Sequence, residues 1–250
     1  MEKKHIDKKL AILPVYNEQD KITEVIAEIK SVDTTIDIVV IDDGSTDRTA
    51  CNAKLAGARV LRHTSNMGYG VALQTGYKYA FQNGYDLLVQ LDGDGQHDPA
   101  YIPELLELII SEGADMALGS RFLKEVSPAS PFLRKYKAST TRILGIKMFA
   151  FIATALIGLR ITDPTSGYQA FNRRLINFFT RDIFPYDFPD ADVIVLAHRA
   201  GFKIKELPMV MYERDEGVSM HSGLKPLYYV FKMFLSIFMT IVRKKPIPLY

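Results

Sequence analysis

Asp92, Asp94 and Asp98 lie within seven positions, in the stretch LVQLDGDGQHDPAYIPEL over residues 88–105. Asp92 and Asp94 are two apart, so on an extended backbone their carboxylates project to the same side. Gly93 and Gly95 let the chain turn there and approach a ligand closely. Two carboxylates on one side, with Gln96 and His97 nearby, suit a hard divalent cation that keeps open positions. Such an ion offsets the repulsion between the carboxylates, and its open positions can take a diphosphate. A calcium loop of the EF-hand kind is excluded. Counted from Asp92, the sixth position is His97 rather than Gly and the twelfth is Pro103 rather than Glu. The competing reading is a solvated acidic turn, and for Asp98 alone, just before Pro99, a helix-cap role is favoured.

An open parallel sheet binds its ligands beyond the carboxyl ends of the strands. Those ends read PVYNE (14–18), DDGSTD (42–47), HTSNMGYG (63–70), DGDGQHD (92–98) and GSRF (119–122). Four of the five carry potential ligand groups, and that convergence is more specific than any one motif. In the Asp42–Asp43 pair, one carboxylate can satisfy the turn while the other accepts from a base N–H or a ribose hydroxyl. N-capping through Ser45 to Asp47 explains part of the same stretch. Gly68 and Gly70 suit a close backbone approach beside a ligand, or a plain turn into a helix. A dinucleotide fingerprint would need glycine where Leu73 stands, which disfavours a nicotinamide dehydrogenase, and there is no G-x-x-x-x-G-K-[ST] loop. No Ser–His–Asp pattern stands out, and no histidine is assigned a catalytic role.

The elements that must position these residues alternate over the first 120 residues. KKLAILPVY, TIDIVVIDDGS, ARVLRH, YDLLVQLD and ADMALGSRF read as strands, the second as a continuous β-branched run buried on both faces. Helices fall between them, with Ile22, Val25, Ile26 and Ile29 at helical spacing in the first. This repetition predicts an α/β fold with a mostly parallel central sheet and helices on both faces. From residue 126 the pattern changes. After a Pro/Ser linker, residues 134–159 read as a long helical stretch with a basic start and a very apolar end. DPTSGYQAFNRRLINFF reads as loop and helix, FPDADVIVLAHRAG as a helix, and FKIKELPMVMYE as a strand. The spacing thus predicts three units: a ligand-binding half over 1–125, a second half over 126–215, and a C-terminal amphipathic helix in 216–250.

In that last helix, Lys232, Ser236, Thr240 and Arg243 form one narrow polar stripe, and everything else from Leu227 to Val242 is apolar. Sixteen residues reach roughly 24 Å, short of the ~20 residues that a bilayer span needs. The helix is expected to lie in a membrane interface or to pack in a dimer, the alternative being that it docks on its own domain.

The 250 residues, 48% hydrophobic, suffice for one α/β domain with a full core. A single cysteine, Cys51, excludes an intrachain disulfide and favours a reducing compartment. The first residues hold too short an apolar run for a signal peptide, so export is not expected. The net charge of +2 conceals an asymmetry. Residues 126–162 and 217–250 together carry eleven cations and no acid, while the other 20 cations face 29 acids, a balance of −9. Two basic, apolar segments on an acidic body point to an anionic surface or a polyanionic ligand, unless they are ordinary solvated faces.

Taken together and in order, LPVYNE, DDGSTDRT, NMGYGVALQTG, LDGDGQHDP, ADMALGSRF and DPTSGYQAF resemble family 2 glycosyltransferases with the GT-A fold, and more closely the dolichyl/polyprenyl-phosphate hexose synthase branch. The resemblance implies that Pro14, Tyr16, Glu18 and Asp43 hold the nucleotide of a nucleotide diphosphate sugar, with Gly68 and Gly93 beside it. It implies that Asp92 and Asp94 form a D-x-D site for Mg²⁺ or Mn²⁺, with Gln96 as a helper and Asp94 essential to catalysis. Arg121 would face the diphosphate or an acceptor phosphate, and Asp163 and Ser166 would lie on the rim of the acceptor half. Relatives often carry an acid in the region of FPDAD, here Asp190. A phosphate acceptor is already an anionic nucleophile and needs no such base.

The reaction so implied is metal-dependent, inverting transfer of a hexose to a polyprenyl phosphate, with Arg134 and Lys137 holding the lipid phosphate. Transfer to a lipid-linked saccharide, which would need Asp190 as base, is the alternative. A non-catalytic nucleotide-sugar binder that recruits partners to membranes is the reading from another class. Many relatives have C-terminal transmembrane helices; none is legible here, so membrane binding falls to the amphipathic segments. The implied setting is peripheral, on the cytoplasmic face of a membrane, with the C-terminal helix as a route to a homo-oligomer and no nucleic acid as partner.

Overall fold

The structure, a computed structural model, describes residues 7–123, 140–187, 189–212 and 225–243. Five strands and four helices alternate first: β1 (Lys9–Val15), α1 (Ile22–Val32), β2 (Asp37–Asp42), α2 (Thr49–Leu55), β3 (Arg59–Arg62), α3 (Tyr69–Gln82), β4 (Leu87–Gln90), α4 (Ile102–Ile110) and β5 (Met116–Ser120). Then follow α5 (Thr140–Ile157), β6 (Gln169–Asn172), α6 (Arg173–Phe179), α7 (Ala191–Arg199), β7 (Ile204–Pro208) and α8 (Lys225–Val242). One seven-stranded sheet runs in the order β3-β2-β1-β4-β6-β5-β7, parallel except for β6.

Alternation along the strands builds two cores. Leu10, Ile12, Val39, Ile41 and Leu88 point to one face, under α3, α6 and α7. Ala11, Leu13, Val40, Leu87 and Val89 point to the other, under α1 and α4. Both faces are covered, which is why β1 and β2 read as unbroken apolar runs.

The chain goes from β1 outward through β2 to β3, then returns to lay β4 on the other side of β1. The strands on either side of β1 thus leave in opposite directions, and a crevice opens at their carboxyl ends. β1–β4 pairing ends at Ile12 and Gln90. Pro14, which has no N–H to give a ladder, lies two residues past that point.

The four-residue strand β6 was not legible in DPTSGYQAFNRRLINFF. It is buried, antiparallel to both β4 and β5, and passes directly into α6, where Asn172 caps the helix by accepting from the Leu175 N–H at 3.0 Å. A strand this short, continuous with a helix, has no period of its own to read.

The polar stripe of α8 faces inward. Lys232 pairs with Asp187 at 2.8 Å, Ser236 donates to Asp192, and Thr240 is buried. Met233 and Ile237 join Phe149 of α5 and Ala191 of α7 in a small cluster. The helix docks on its own domain and turns Phe231, Phe238 and Val242 outward at 62%, 58% and 63% exposure. Among the described residues no helix is long and apolar enough to cross a membrane.

Candidate active site

The D-G-D turn leaves the end of β4 and presses against the end of β1. A Cβ on Gly93 would meet Val15 Cγ1 at 2.3 Å, so only glycine lets the turn sit there. Asp92 Oδ1 accepts from the Tyr69 hydroxyl at 3.0 Å, and its side chain is 31% exposed. Asp94 Oδ1 accepts from the Gln96 N–H at 3.0 Å. The Gln96 amide nitrogen is turned to the Tyr212 carbonyl, 3.1 Å away.

His97 braces the turn from beneath. It is buried, stacked on Tyr168, and its Nδ1 accepts from the Asp92 N–H at 3.1 Å. Burial pulls its pKa down to about 4 against the attraction of Asp94, so the ring is neutral with its proton on Nε2. Its 3.7 Å approach to Asp92 Oδ2 is therefore not an ion pair.

Around Asp92 the backbone leaves room. A Cβ on Gly167, in the loop before β6, would come within 3.2 Å of Asp92 Oδ2. A carboxylate with room beside it, two residues from a second one on the same turn, suits a hard divalent cation. Among the described residues no group of three or more His, Cys, Asp and Glu forms a protein-only metal site. An ion at Asp92 and Asp94 would need further oxygens, such as those of a diphosphate.

Across the crevice, the turns after β1 and β2 are locked together. Asn17 adopts the left-handed region, at φ 56°, and its side chain accepts from the Thr46 N–H at 2.9 Å while its own N–H donates to Ser45. The Glu18 N–H donates to Thr49 at 2.8 Å, and Tyr16 stands exposed at the mouth.

Both carboxylates of the Asp42–Asp43 pair have partners within the protein. Asp42 takes the Ser45 N–H and the Arg62 guanidinium, each at 3.0 Å. Asp43 takes His63 at 2.7 Å and the N–H groups of Met67 and Gly68 at 2.9 and 2.8 Å. Asp43 thereby shapes the 63–68 loop, which ends at Gly68 with φ 100°.

Arg121, after β5, is held by Asp163 through two bonds of 2.6 and 2.7 Å, and it also donates to Thr165. Asp163 is fully buried and Ser166 nearly so. Glu206 of β7 accepts from the backbone N–H groups of Thr162 and Asp163 at 2.9 and 3.1 Å, which fixes the loop that fixes Arg121. Asp190 immediately precedes α7. Burial raises the Tyr69 pKa well above its ordinary value, and the charges of Asp92, Tyr77 and Asp190 add to the effect. A Cβ on Gly70 would meet the Tyr186 carbonyl at 2.1 Å, so the segment before Asp190 lies against the start of α3, beside Tyr69. Arg134 and Lys137 lie outside the described residues.

Sequence reasoning did not find Tyr69, Asn17, Glu206 or the bracing role of His97. Asn17 carried a signal, since asparagine after an apolar strand tolerates the left-handed region. Tyr69 and Glu206 carried none, because their partners arrive from distant segments.

The family model described as "Glycosyl transferase family 2" matches residues 10–179. The chain belongs to glycosyltransferase family 2. Its sequence is 32% identical over 234 residues to polyprenol monophosphomannose synthase of Mycolicibacterium smegmatis, covering 90% of this chain and 84% of that one. It is 30% identical over 222 residues to undecaprenyl-phosphate mannosyltransferase of Micrococcus luteus, covering 86% and 87%. Among solved structures, this family 2 glycosyltransferase is similar to glucosyl-3-phosphoglycerate synthase of Mycobacterium tuberculosis in complex with Mn²⁺, UDP-glucose and phosphoglyceric acid. The TM-score is 0.67 at 21% identity, over 97% of this chain and 81% of that one. At that identity the likeness bears on the fold alone, and it agrees with the expected GT-A architecture.

Proposed function

We propose that this glycosyltransferase moves a hexose from a nucleoside diphosphate sugar to a polyprenyl phosphate at a membrane surface. The observation that carries the reading is the D-G-D turn at the switch point of the sheet, with the Asp92 carboxylate beside Gly167. The names of the relatives from Mycolicibacterium smegmatis and Micrococcus luteus support the lipid phosphate and favour mannose as the sugar. The crystal complexes of the Mycobacterium tuberculosis enzyme with Mn²⁺ and UDP-glucose support a divalent metal and a nucleotide donor.

In this reading Pro14, Tyr16, Glu18 and the loop that Asp43 shapes up to Gly68 form the nucleotide side, and Asp92 and Asp94 hold Mg²⁺ or Mn²⁺. The ion would supply charge neutralisation on the departing diphosphate. The protein's own part is orientation. Tyr69 and His97 fix Asp92 through its carboxylate and its backbone, and Asp163 fixes Arg121 facing the phosphates. An acceptor phosphate oxygen then attacks the anomeric carbon opposite the leaving group. The old carbon–oxygen bond breaks with its electron pair going to the β-phosphate, and the configuration inverts. The nucleophile is already anionic, so no proton has to be removed.

The division into a donor half over 1–125, an acceptor half over 126–215 and a surface helix beyond belongs to the same proposal. The apolar face of α8, with Leu144 and Phe151 exposed on α5, would rest on the cytoplasmic face of a membrane, as the basic segments favour. Pairing of that face in a homodimer is the other use open to it.

The position of Asp190 favours a second reading, transfer to a hydroxyl of a lipid-linked saccharide with Asp190 as base. Nucleoside diphosphate release, measured across mannose and glucose donors with and without a chelator, tests the metal and the donor. Asp190→Asn separates the acceptors: turnover kept supports a phosphate nucleophile, and turnover lost supports a hydroxyl.

A further inference from the structure

We infer that Asp192 is a positioning residue through which α8 fixes Asp190 on the acceptor side of the site. The helix that carries the exposed apolar face would then also set the geometry of transfer. The inference rests on the proposed function only in naming that side of the site the acceptor side.

Asp192 lies in the first turn of α7 and is fully buried. Its Oδ1 accepts from the backbone N–H groups of Asp190 at 3.0 Å and Val193 at 2.8 Å. Its Oδ2 accepts from Ser236 of α8. One carboxylate therefore ties the backbone of Asp190 to a helix more than thirty residues further along the chain. A second tie lies on the other side of Asp190, where Lys232 of α8 meets Asp187 at 2.8 Å. Met233 and Ile237 pack on Ala191 and Phe149 between these two polar contacts.

A buried carboxylate is a poor way to stabilise a helix junction. Removing it from water is costly, and an apolar side chain of similar size packs as well or better. What the carboxylate adds is direction: its three donors hold together only with α8 in one register against α7. The segment so fixed borders the reacting centre: a Cβ on Gly70 would meet the Tyr186 carbonyl at 2.1 Å, and the neighbouring Tyr69 donates to Asp92 of the D-G-D turn. The line from α8 runs through Ser236 and Asp192 to Asp190, in the segment that follows Tyr186. Ser236 and Asp192 touch no reacting atom in it and act through Asp190.

The test uses the full chain with Ser236→Ala and Ser236→Thr, the second keeping the hydroxyl. Ser236→Ala is expected to raise the KM for a short-chain polyprenyl phosphate about tenfold while leaving the donor KM within about twofold, the loss expected of one buried hydrogen bond that acts on one substrate only. Ser236→Thr should restore the acceptor KM. In the ligand-free protein, amide hydrogen exchange at Asp190 and Val193 should quicken in the alanine variant, with β1 and β2 unchanged. An unaltered acceptor KM, or donor and acceptor KM rising together, overturns the inference, as does unchanged exchange at the two amides. If the wild type ignores polyprenyl phosphate, the proposed acceptor falls instead. The exchange contrast and the KM for whichever acceptor is used then still decide the role of Asp192.

Discussion

On the donor side, the carboxylates described above have their partners within 25 residues along the chain. Asp42 takes the N–H three residues on, Asp94 the N–H two residues on, and the Asp92 backbone meets His97 five residues away. On the acceptor side, Asp187 and Asp192 reach Lys232 and Ser236, 45 and 44 residues further along. The turns after β1, β2 and β4 are held largely by one another and by the start of α3, whereas the segment before α7 is held also by α8.

The largest effect that would break this comparison comes from Asp94→Asn. The amide keeps an acceptor for the Gln96 N–H, so the melting temperature should hold while kcat falls about 10²- to 10³-fold, as for loss of one preorganised electrostatic contact. Retained turnover would remove the metal assignment. Next is Arg121→Ala, which takes the guanidinium from the buried Asp163 and should destabilise by about 3 kcal/mol in urea unfolding, the backbone N–H and Thr165 remaining as its donors. A loss under 1 kcal/mol would mean that the pair does not brace the loop before β6.

Gly93→Ala should cost about 1–3 kcal/mol through the forced contact with Val15, and should weaken metal binding in calorimetry. Unchanged stability would show that the turn does not need its close seat on β1. On the other side, Phe231→Asp together with Phe238→Asp should abolish sedimentation with anionic vesicles while stability stays within about 0.5 kcal/mol, because both rings are largely exposed. Vesicle binding that survives the pair would move the membrane contact away from α8.

A change of pH sharpens the account of the segment around α7. Burial pushes the pKa of Asp192 up to about 7, against its bond from Ser236 and with the help of the Asp190 charge. The folded state therefore holds this proton more tightly than the unfolded chain does. Its contribution to stability falls as pH rises from about 4 to about 7 and is level above. Asp192→Asn removes that contribution, so the stability of the variant relative to wild type should rise with pH through the same window. Parallel curves at pH 5 and pH 8 would contradict it.

The first half of the chain was largely legible in the sequence. β1, β2, β4 and the D-G-D turn follow from apolar runs that end in glycine and aspartate, signals that act within a few residues. The family motifs matched over the same stretch. What the sequence hid was tertiary. β6 was too short to show a period, and the partners of Asp43 and Arg121 could not be read because the loops that bring them have no periodicity. The stripe on α8 was found, but the direction it faces depends on Asp187 and Asp192, which no local pattern connects to it.

The most direct measurement of the central claim compares a polyprenyl phosphate with the polyprenol of the same length, using one labelled nucleoside diphosphate hexose and Mg²⁺ or Mn²⁺. The account predicts a glycolipid heavier by one hexose with the phosphate only, formed with release of the nucleoside diphosphate and stopped by chelation. Hexose transfer to the free alcohol, or a product that forms unchanged in chelator, would contradict it.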